Sequence, residues 1–227
     1  DFETKEAGFP LFDGPDSTVA TYLNGARVGI SNVTLPGSVS SAKYLSNQLP
    51  AGKHRVLFRS TIDKNVYYDG SSIRSSFWMS DLSDRKFLER YLPANFDFDS
   101  IKMTFDVRIL GSNKKHQLKM NCDTAVTGEN QWRAECPAYF NSSLLYYHLF
   151  DDGRFKEDVK RYTSIDGRTI KITAYSSRDP QRFSAKALEV MAELEKDYGP
   201  WPHPQLIIYG AGSGGMEYAG ATMSSMW

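Results

Sequence analysis

The sequence predicts a mainly β protein, in which an antiparallel, saddle-like or sandwich-like β-domain is followed by the truncated beginning of an α/β domain. Over roughly the first 160 residues, short runs of β-branched and aromatic residues alternate with turn residues, without a helical pattern. Residues 101–109 form the clearest strand, because apolar and polar side chains alternate there with a period of two. Asn24-Gly25 separates two earlier runs, 18–23 and 27–33, and this dipeptide favours a two-residue hairpin turn.

The pattern changes after Asp166-Gly167, where a strand, a helix and a second strand follow one another. Residues 169–175 and 206–209 have the composition of strands. Between them, Asp179 can cap a helix that has Pro180 at its first position and stops at Gly199-Pro200. We therefore place a boundary near residue 160, with the β-domain over residues 1–160 and the α/β part over 161–227.

Two segments are predicted to be buried. Residues 144–150 are nearly all apolar and should lie deep in a sheet. One face of the helix should also be buried, because apolar residues recur along it at helical spacing. These residues are Ala187, Leu188, Met191, Leu194 and Tyr198.

Composition excludes several classes of protein. The 227 residues balance 27 basic against 27 acidic side chains, without a basic run or stripe, so a nucleic-acid partner is not expected. No apolar stretch reaches the length of a membrane span. With 41% apolar residues, the chain has enough material for a sizeable core.

The two cysteines, Cys122 and Cys136, flank a stretch rich in turn residues. A hairpin folded about Glu129 between alternating segments 116–120 and 132–135 would place them directly opposite each other, within reach of a disulfide. Two buried free thiols are the alternative. The hairpin slightly favours the disulfide, and with it an oxidising compartment such as the periplasm or the exterior of the cell.

Metal and phosphate motifs are absent from the sequence. The four histidines, His54, His116, His148 and His203, are widely separated, and neither a His-Glu-x-x-His nor a Cys-x-x-Cys pattern occurs. The glycine cluster at 210–215 lacks the Lys and Ser/Thr of a P-loop.

One short segment does carry a recognisable pattern. Gly214-Gly215-Met216-Glu217-Tyr218 resembles the Gly-x-Met-Glu-Asn motif of gluzincin zinc aminopeptidases, the aminopeptidase N and leukotriene hydrolase family. The resemblance implies that this segment is an edge strand that binds an extended peptide, with Glu217 holding the free α-amine of the substrate. Tyr218 departs from the family pattern, which usually has Asn there, and this puts strict aminopeptidase specificity in doubt.

The surroundings of this segment extend the resemblance along the chain. A helix, a turn with the sequence Gly-Pro-Trp-Pro at 199–202 and a strand precede the motif, as in that family. The stretches 22–25, 49–53 and 87–107 are similar to the opening strands and to the Arg-x-x-Phe-Pro-x-x-Asp region of its β-domain.

The resemblance implies that the chain is the amino-terminal portion of a zinc-dependent metallopeptidase that hydrolyses amino-terminal peptide bonds. Zinc would belong to the full-length parent, because the family's His-Glu-x-x-His helix and distal Glu follow the motif. The chain alone is expected to be inactive and free of zinc. Its partners would be a peptide substrate and the remainder of its own catalytic domain, and apolar residues near Met223, Met226 and Trp227 would favour self-association.

A non-catalytic binding module is the alternative. In that case a β-sandwich would recognise peptide or carbohydrate through aromatic side chains such as Trp78, Tyr91 and Trp132. Because these residues lie in strand-like segments, a role in core packing competes with this interpretation.

Overall fold

The structure is a computed structural model of the chain, and it describes residues 1–12, 18–34, 41–61, 66–69, 72–77, 102–140, 145–211 and 215–225. These residues divide into two compact units, one up to residue 61 and one from residue 66 onward. Trp78, Tyr91, Ile101, Gly214, Met226 and Trp227 lie outside the described residues. Apart from one helix, the described elements are strands, so the fold class is mainly β, as predicted.

The first unit consists of three small antiparallel sheets. Their strand orders are β1-β7, β2-β6-β5 and β4-β3-β8. The strands are β1 (Phe2–Thr4), β2 (Leu11–Phe12), β3 (Thr18–Leu23), β4 (Ala26–Val28), β5 (Ile30–Thr34), β6 (Ser41–Leu45), β7 (Gly52–His54) and β8 (Val56–Ser60). Asn24 and Gly25 connect β3 to β4 with φ values of 48° and 89°, which is the conformation that a type I′ hairpin turn requires at both positions.

The second unit contains two smaller sheets and one larger sheet. The smaller ones have the orders β12-β15-β10-β9 and β11-β14-β13 and are antiparallel throughout. Their strands are β9 (Val66–Asp69), β10 (Ser72–Phe77), β11 (Thr104–Arg108), β12 (His116–Met120), β13 (Asp123–Gly128), β14 (Gln131–Glu135) and β15 (Tyr147–Asp151). Residues 145–150 are all buried, as predicted.

The larger sheet is mixed and has the order β16-β17-β18-β20-β19. Its elements are β16 (Lys156–Thr163), β17 (Thr169–Ser176), α1 (Pro180–Tyr198), β18 (Gln205–Ala211), β19 (Gly215–Tyr218) and β20 (Ala221–Ser225). Strands β17, β18 and β20 run parallel, whereas β16 and β19 are antiparallel edges. The predicted boundary near residue 160 falls inside β16, and as a division between family domains it stays a prediction.

The helix begins and ends as predicted. The side chain of Asp179 accepts a hydrogen bond from the amide of Gln181, Pro180 occupies the first turn, and Gly199 ends the helix with a φ of 84°. Helix α1 packs on one face of β16, β17 and β18, around a core that includes Ile172, Met191 and Ile208. Gly210 permits this close packing, because a Cβ there would lie 2.6 Å from the ring of Phe183.

The predicted buried face of α1 is wrong at its carboxyl-terminal end. Leu194 and Tyr198 are 41% and 83% exposed, whereas Glu195 is buried. Its carboxylate accepts hydrogen bonds from the hydroxyls of Tyr162 and Ser164, at 2.8 and 2.6 Å. A hydrophobic pattern does not detect a carboxylate that is buried because its hydrogen bonds are satisfied.

Two backbone amides also donate hydrogen bonds to the carboxylate of Glu195. The amide of Ile165 lies 2.9 Å and that of Trp201 lies 2.6 Å from its carboxylate oxygens. Glu195 therefore joins the β16–β17 turn to the proline-rich turn that leads into β18.

The hairpin around Glu129 exists, and residues 132–135 form one of its strands as predicted, but the other strand is not residues 116–120. β13 and β14 pair with Asp123 opposite Glu135, whereas residues 116–120 form β12 in another sheet and pair with β15. The stretch interpreted as turn residues is thus mostly strand, and only residues 129 and 130 connect β13 to β14. Across the described residues, no helix is both long enough and apolar enough to cross a membrane.

Candidate functional site

The segment that resembles the Gly-x-Met-Glu-Asn motif lies at one edge of the five-stranded sheet. β19 pairs only with β20 among the described strands, and a two-residue turn, Ala219-Gly220, joins them. Gly220 has a φ of 68°, and a Cβ there would lie 2.8 Å from the carbonyl oxygen of Gln205. Gly214 is not described, so the strand is seen from Gly215 onward.

The hairpin register determines which backbone groups of β19 face outward. A two-residue turn closes on a hydrogen-bonded pair, which here is Tyr218 with Ala221. Hydrogen-bonded and non-hydrogen-bonded pairs alternate along an antiparallel ladder. The N–H and C=O groups of Gly215 and Glu217 therefore point away from β20, and no strand in the described part of the chain pairs with them.

The side chains of β19 divide between the two faces of the sheet. Met216 and Tyr218 face a buried cluster, where the ring centroid of Tyr218 lies 5.4 Å from that of Tyr146. Burial, together with the negative charge of Glu217, raises the pKa of Tyr218 above its usual range. The side chain of Tyr218 thus belongs to the core, and its backbone N–H and C=O groups face β20.

Glu217 lies on the opposite face of the sheet, next to Thr222. Its side chain is exposed, and within the described residues its carboxylate has no hydrogen bond or ion pair. Gly215 is also exposed, and a Cβ there would make an ordinary 3.5 Å contact with the carbonyl oxygen of Met223.

Asn121, which the sequence did not single out, holds the β19–β20 turn in place. It is 1% exposed, and its side-chain amide donates to the carbonyl oxygen of Ala219 at 2.8 Å. Its side-chain oxygen accepts from the amide of Tyr146 at 2.8 Å. An asparagine directly before a cysteine has no distinguishing pattern in the sequence, so only the three-dimensional contact reveals this role.

The buried face under β19 is dominated by aromatic side chains. The Tyr175 hydroxyl hydrogen-bonds to Nδ1 of His148 at 2.8 Å and to the hydroxyl of Tyr146. Burial raises the pKa of Tyr175 and of Tyr146. Burial, assisted by the charge of Arg154, lowers the pKa of His148 to about 3, so this imidazole is neutral at physiological pH.

The histidines have local partners and do not converge. His54 bonds to the carbonyl oxygen of Pro50, His116 to that of Lys114, His148 to Tyr175 and His203 to Tyr139. In the part of the chain that the structure describes, no group of three histidine, cysteine or carboxylate side chains could hold a metal ion. These residues do not fit a zinc site.

Cys122 and Cys136 form a disulfide at the open end of the β13–β14 hairpin. They are the next opposed pair after Asp123 and Glu135, so the register brings them together. Both cysteines are buried. Trp132, in β14, is only 6% exposed, which leaves little of its ring for ligand recognition.

Comparison with known proteins identifies the fold. No protein-family model matches the sequence, and no curated protein is similar to it at a significant level. Among solved structures, aminopeptidase A from Legionella pneumophila aligns with a TM-score of 0.66 at 15% identity over 98% of this chain. Native yeast LTA4 hydrolase aligns with a TM-score of 0.65 at 14% identity over 98%, and an M1 zinc metallopeptidase from Deinococcus radiodurans with 0.62 at 16% over 97%.

The alignments cover nearly all of this chain but only part of each similar structure. The covered shares are 27% of the Legionella chain, 36% of the yeast chain and 53% of the Deinococcus chain. The chain thus spans about a quarter to a half of the length of the structures that it matches. At these identities the likeness concerns the fold, which this chain shares with part of an aminopeptidase A, of an M1 zinc metallopeptidase and of leukotriene A4 hydrolase.

Proposed function

We propose that this chain is the amino-terminal portion of a zinc-dependent aminopeptidase, and that β19 is its substrate-binding edge. The observation that carries the proposal is the position of the motif-like segment. Gly215–Tyr218 forms an open edge strand, and Glu217 is exposed and unpaired among the described residues. The fold shared with known peptidases supports the same conclusion.

An extended peptide would bind by adding a strand beside β19. The outward N–H and C=O groups of Gly215 and Glu217 would supply its backbone hydrogen bonds. The missing side chain at Gly215 would allow the peptide backbone to approach closely. Met216 and Tyr218 would hold the strand rigid from the buried face.

The carboxylate of Glu217 would bind the α-amine of the substrate. A carboxylate about 4 Å from an ammonium group gains roughly 4 kcal/mol at an effective dielectric constant of about 20. Two of the similar structures hold a free amino acid, aspartic acid in one and L-arginine in the other, and each carries such an amine. Recognition of the amine would restrict cleavage to the amino terminus.

Zinc would serve as the Lewis acid of the reaction in the parent protein. Because the described residues do not fit a metal site, its ligands are proposed to lie in the remainder of the parent. This chain would then bind and orient the substrate without itself carrying the hydrolytic centre.

The coding sequence beyond Trp227 and the kinetics of the parent protein test the proposal. A His-Glu-x-x-His segment with a distal Glu is expected downstream. In that parent, Glu217→Ala should lower kcat/KM for unblocked aminoacyl substrates roughly 30- to 1000-fold, which corresponds to a loss of about 2–4 kcal/mol of transition-state binding. The zinc content should be unchanged.

Glu193→Ala is the matched control, because Glu193 is an exposed carboxylate on α1 that pairs with Lys196. It should leave kcat/KM unchanged. The absence of a downstream zinc motif would contradict the aminopeptidase assignment. Wild-type kinetics or loss of zinc in Glu217→Ala would contradict the role of Glu217.

A further inference from the structure

The second unit has a groove of about 1030 Å³ that is bordered by two strand edges. One wall is β12, the edge of its sheet, and the other is β13, the edge of another. Thr173, Gln205 and Ile207, from β17 and β18, contribute to the lining. The groove does not involve β19 or Glu217.

Ladder registers show that β13 presents unsatisfied backbone groups at its edge. Two backbone hydrogen bonds determine which residues of β14 direct their N–H and C=O groups toward β11. The amide of Ile109 donates to the carbonyl of Asn130, and the amide of Cys136 donates to the carbonyl of Met103. By alternation, Ala125 of β13 pairs with β14, whereas the N–H and C=O groups of Thr124 and Val126 point away from it. No strand in the described ranges pairs with this side.

On the opposite wall, side chains already form hydrogen bonds with some of the outward backbone groups of β12. The same alternation directs the backbone groups of His116, Leu118 and Met120 away from β15. The side chain of Asn130 accepts from the amide of His116, and that of Gln205 donates to the carbonyl of Met120. β12 therefore has fewer backbone groups left for a ligand than β13.

Between Asp123 and the register shift at Val126–Gly128, β13 lacks the charged side chains that usually protect an edge strand. Charged side chains, especially lysine, normally prevent edges from pairing with other chains. β16 carries Lys156, Glu157, Asp158, Lys160 and Arg161, whereas residues 124–128 of β13 are Thr-Ala-Val-Thr-Gly. Val126 is 75% exposed although it is apolar and β-branched.

We propose that β13 binds an extended segment of a partner polypeptide by strand addition in this groove. The outward groups of Thr124 and Val126 would provide up to four backbone hydrogen bonds. Small or β-branched side chains of the partner would pack beside Val126. A volume of about 1030 Å³ accommodates a segment of several residues.

The charge of the groove favours a neutral segment. Three lysines and four carboxylate side chains line it, so neither sign dominates. Lys119 and Glu157 neutralise each other in an ion pair. Recognition would therefore depend on the backbone rather than on the net charge of the partner.

A labelled hexapeptide, acetyl-Thr-Val-Thr-Val-Thr-Val-amide, is a suitable probe, because its blocked amine avoids recognition by Glu217. Fluorescence anisotropy should detect binding with a Kd below about 1 mM. The same peptide with alternate N-methylated amides keeps its side chains but not its hydrogen-bond donors, and should bind at least ~10-fold more weakly. No binding at ~1 mM, or equal binding of the two peptides, would overturn the proposal.

Val126→Pro removes the outward N–H, and proline is tolerated at strand edges where the N–H faces outward. This variant should weaken binding at least ~10-fold, whereas Val126→Thr, which keeps the N–H, should change it less than ~2-fold. Thermal unfolding checks that both variants fold. If Val126→Pro does not fold, the N-methylated peptide provides the same test on the unmodified protein.

Hydrogen exchange locates the bound peptide. The amides of Thr124 and Val126 should exchange faster than that of Ala125 in the protein alone, and should slow at least ~10-fold when the peptide is present. Protection at Gly215 and Glu217 instead would place the peptide at β19 and overturn the proposal. Dimerisation of the protein through β13 without peptide would also overturn it, because the edge would then serve a second copy.

Discussion

The two edges of the five-stranded sheet differ in length, charge and attachment. β16 has eight residues, of which five are charged, and α1 fastens it through Ser184 with Asp158 and through Glu195 with Tyr162. β19 has four residues with Glu217 as its single charge, and its turn is held from the buried side by Asn121. One sheet thus combines an edge that charges protect from pairing with an edge that can accept a strand.

Removal of the disulfide should have the largest effect on stability. Cys122 adjoins Asn121, so the bridge supports the β19 side of the sheet and not the β16 side. For a loop of about 15 residues, replacing both cysteines with serine should lower the free energy of unfolding by roughly 3 kcal/mol. Urea denaturation measures the loss, and hydrogen exchange should accelerate around Ala219 more than in β16.

Thiol titration provides the control for this prediction. The denatured, unreduced wild-type chain should contain almost no titratable thiol, and the reduced chain should contain two. Two thiols before reduction would show that the disulfide is not formed.

Asn121→Ala should have the next largest effect. It leaves the buried carbonyl of Ala219 and the amide of Tyr146 without their side-chain partners, at a cost of about 2 kcal/mol in the free energy of unfolding. Ser184→Ala is the matched change on the other side, because it removes the hydroxyl that bonds to Asp158 beside β16. If both variants accelerated exchange at β19 equally, the two edges would not be independently attached.

Acidification should first weaken the buried face of β17 and β18, where His148 hydrogen-bonds to Tyr175 and packs against Tyr209. The folded pKa of His148, about 3, lies below its ordinary value of 6.5, so its stabilising contribution is complete above pH 6.5 and is lost as the pH falls toward 3. Between pH 7.5 and 5.5 the free energy of unfolding should fall by roughly 1 kcal/mol. Thermal unfolding across this range should show the slope in the wild type but not in His148→Phe.

Attachment of β16 should persist to lower pH. Burial alone would raise the pKa of Glu195, but hydrogen bonds from Ser164 and from the amides of Trp201 and Ile165 outweigh it and lower the pKa to about 2. Its contribution is therefore complete above about pH 4.5 and is lost only between there and pH 2. Exchange in β16 should stay constant between pH 7.5 and 5.5, where the stabilising contribution of His148 already declines.

Local signals in the sequence predicted local structure well. Asn24-Gly25 correctly predicted the β3–β4 hairpin turn, and Asp179 with Pro180 correctly predicted the start of α1. The period of two correctly predicted which side chains around β11 face the core. Each of these features depends only on residues that are neighbours in the sequence. The placement of Gly215–Tyr218 on an edge also agrees with the resemblance. The roles assigned to these residues in substrate binding remain predictions.

Long-range polar contacts could not be predicted. Glu195 takes a buried position that the apolar pattern assigned to its neighbours, because four donors from two separate segments, residues 162–165 and Trp201, satisfy it. The segment 116–120 pairs with β15 rather than β14, and alternation alone does not identify a partner strand. Single-residue propensities contain neither kind of information.

The bond between Asn121 and Ala219 has a consequence for the order in which the protein folds. The β19–β20 hairpin closes locally through a two-residue turn, whereas its anchor lies 98 residues earlier in the chain. Contacts of such sequence separation form slowly, because the intervening chain must first be ordered. During synthesis, the edge strand can therefore acquire its final position only after almost the entire second unit has left the ribosome.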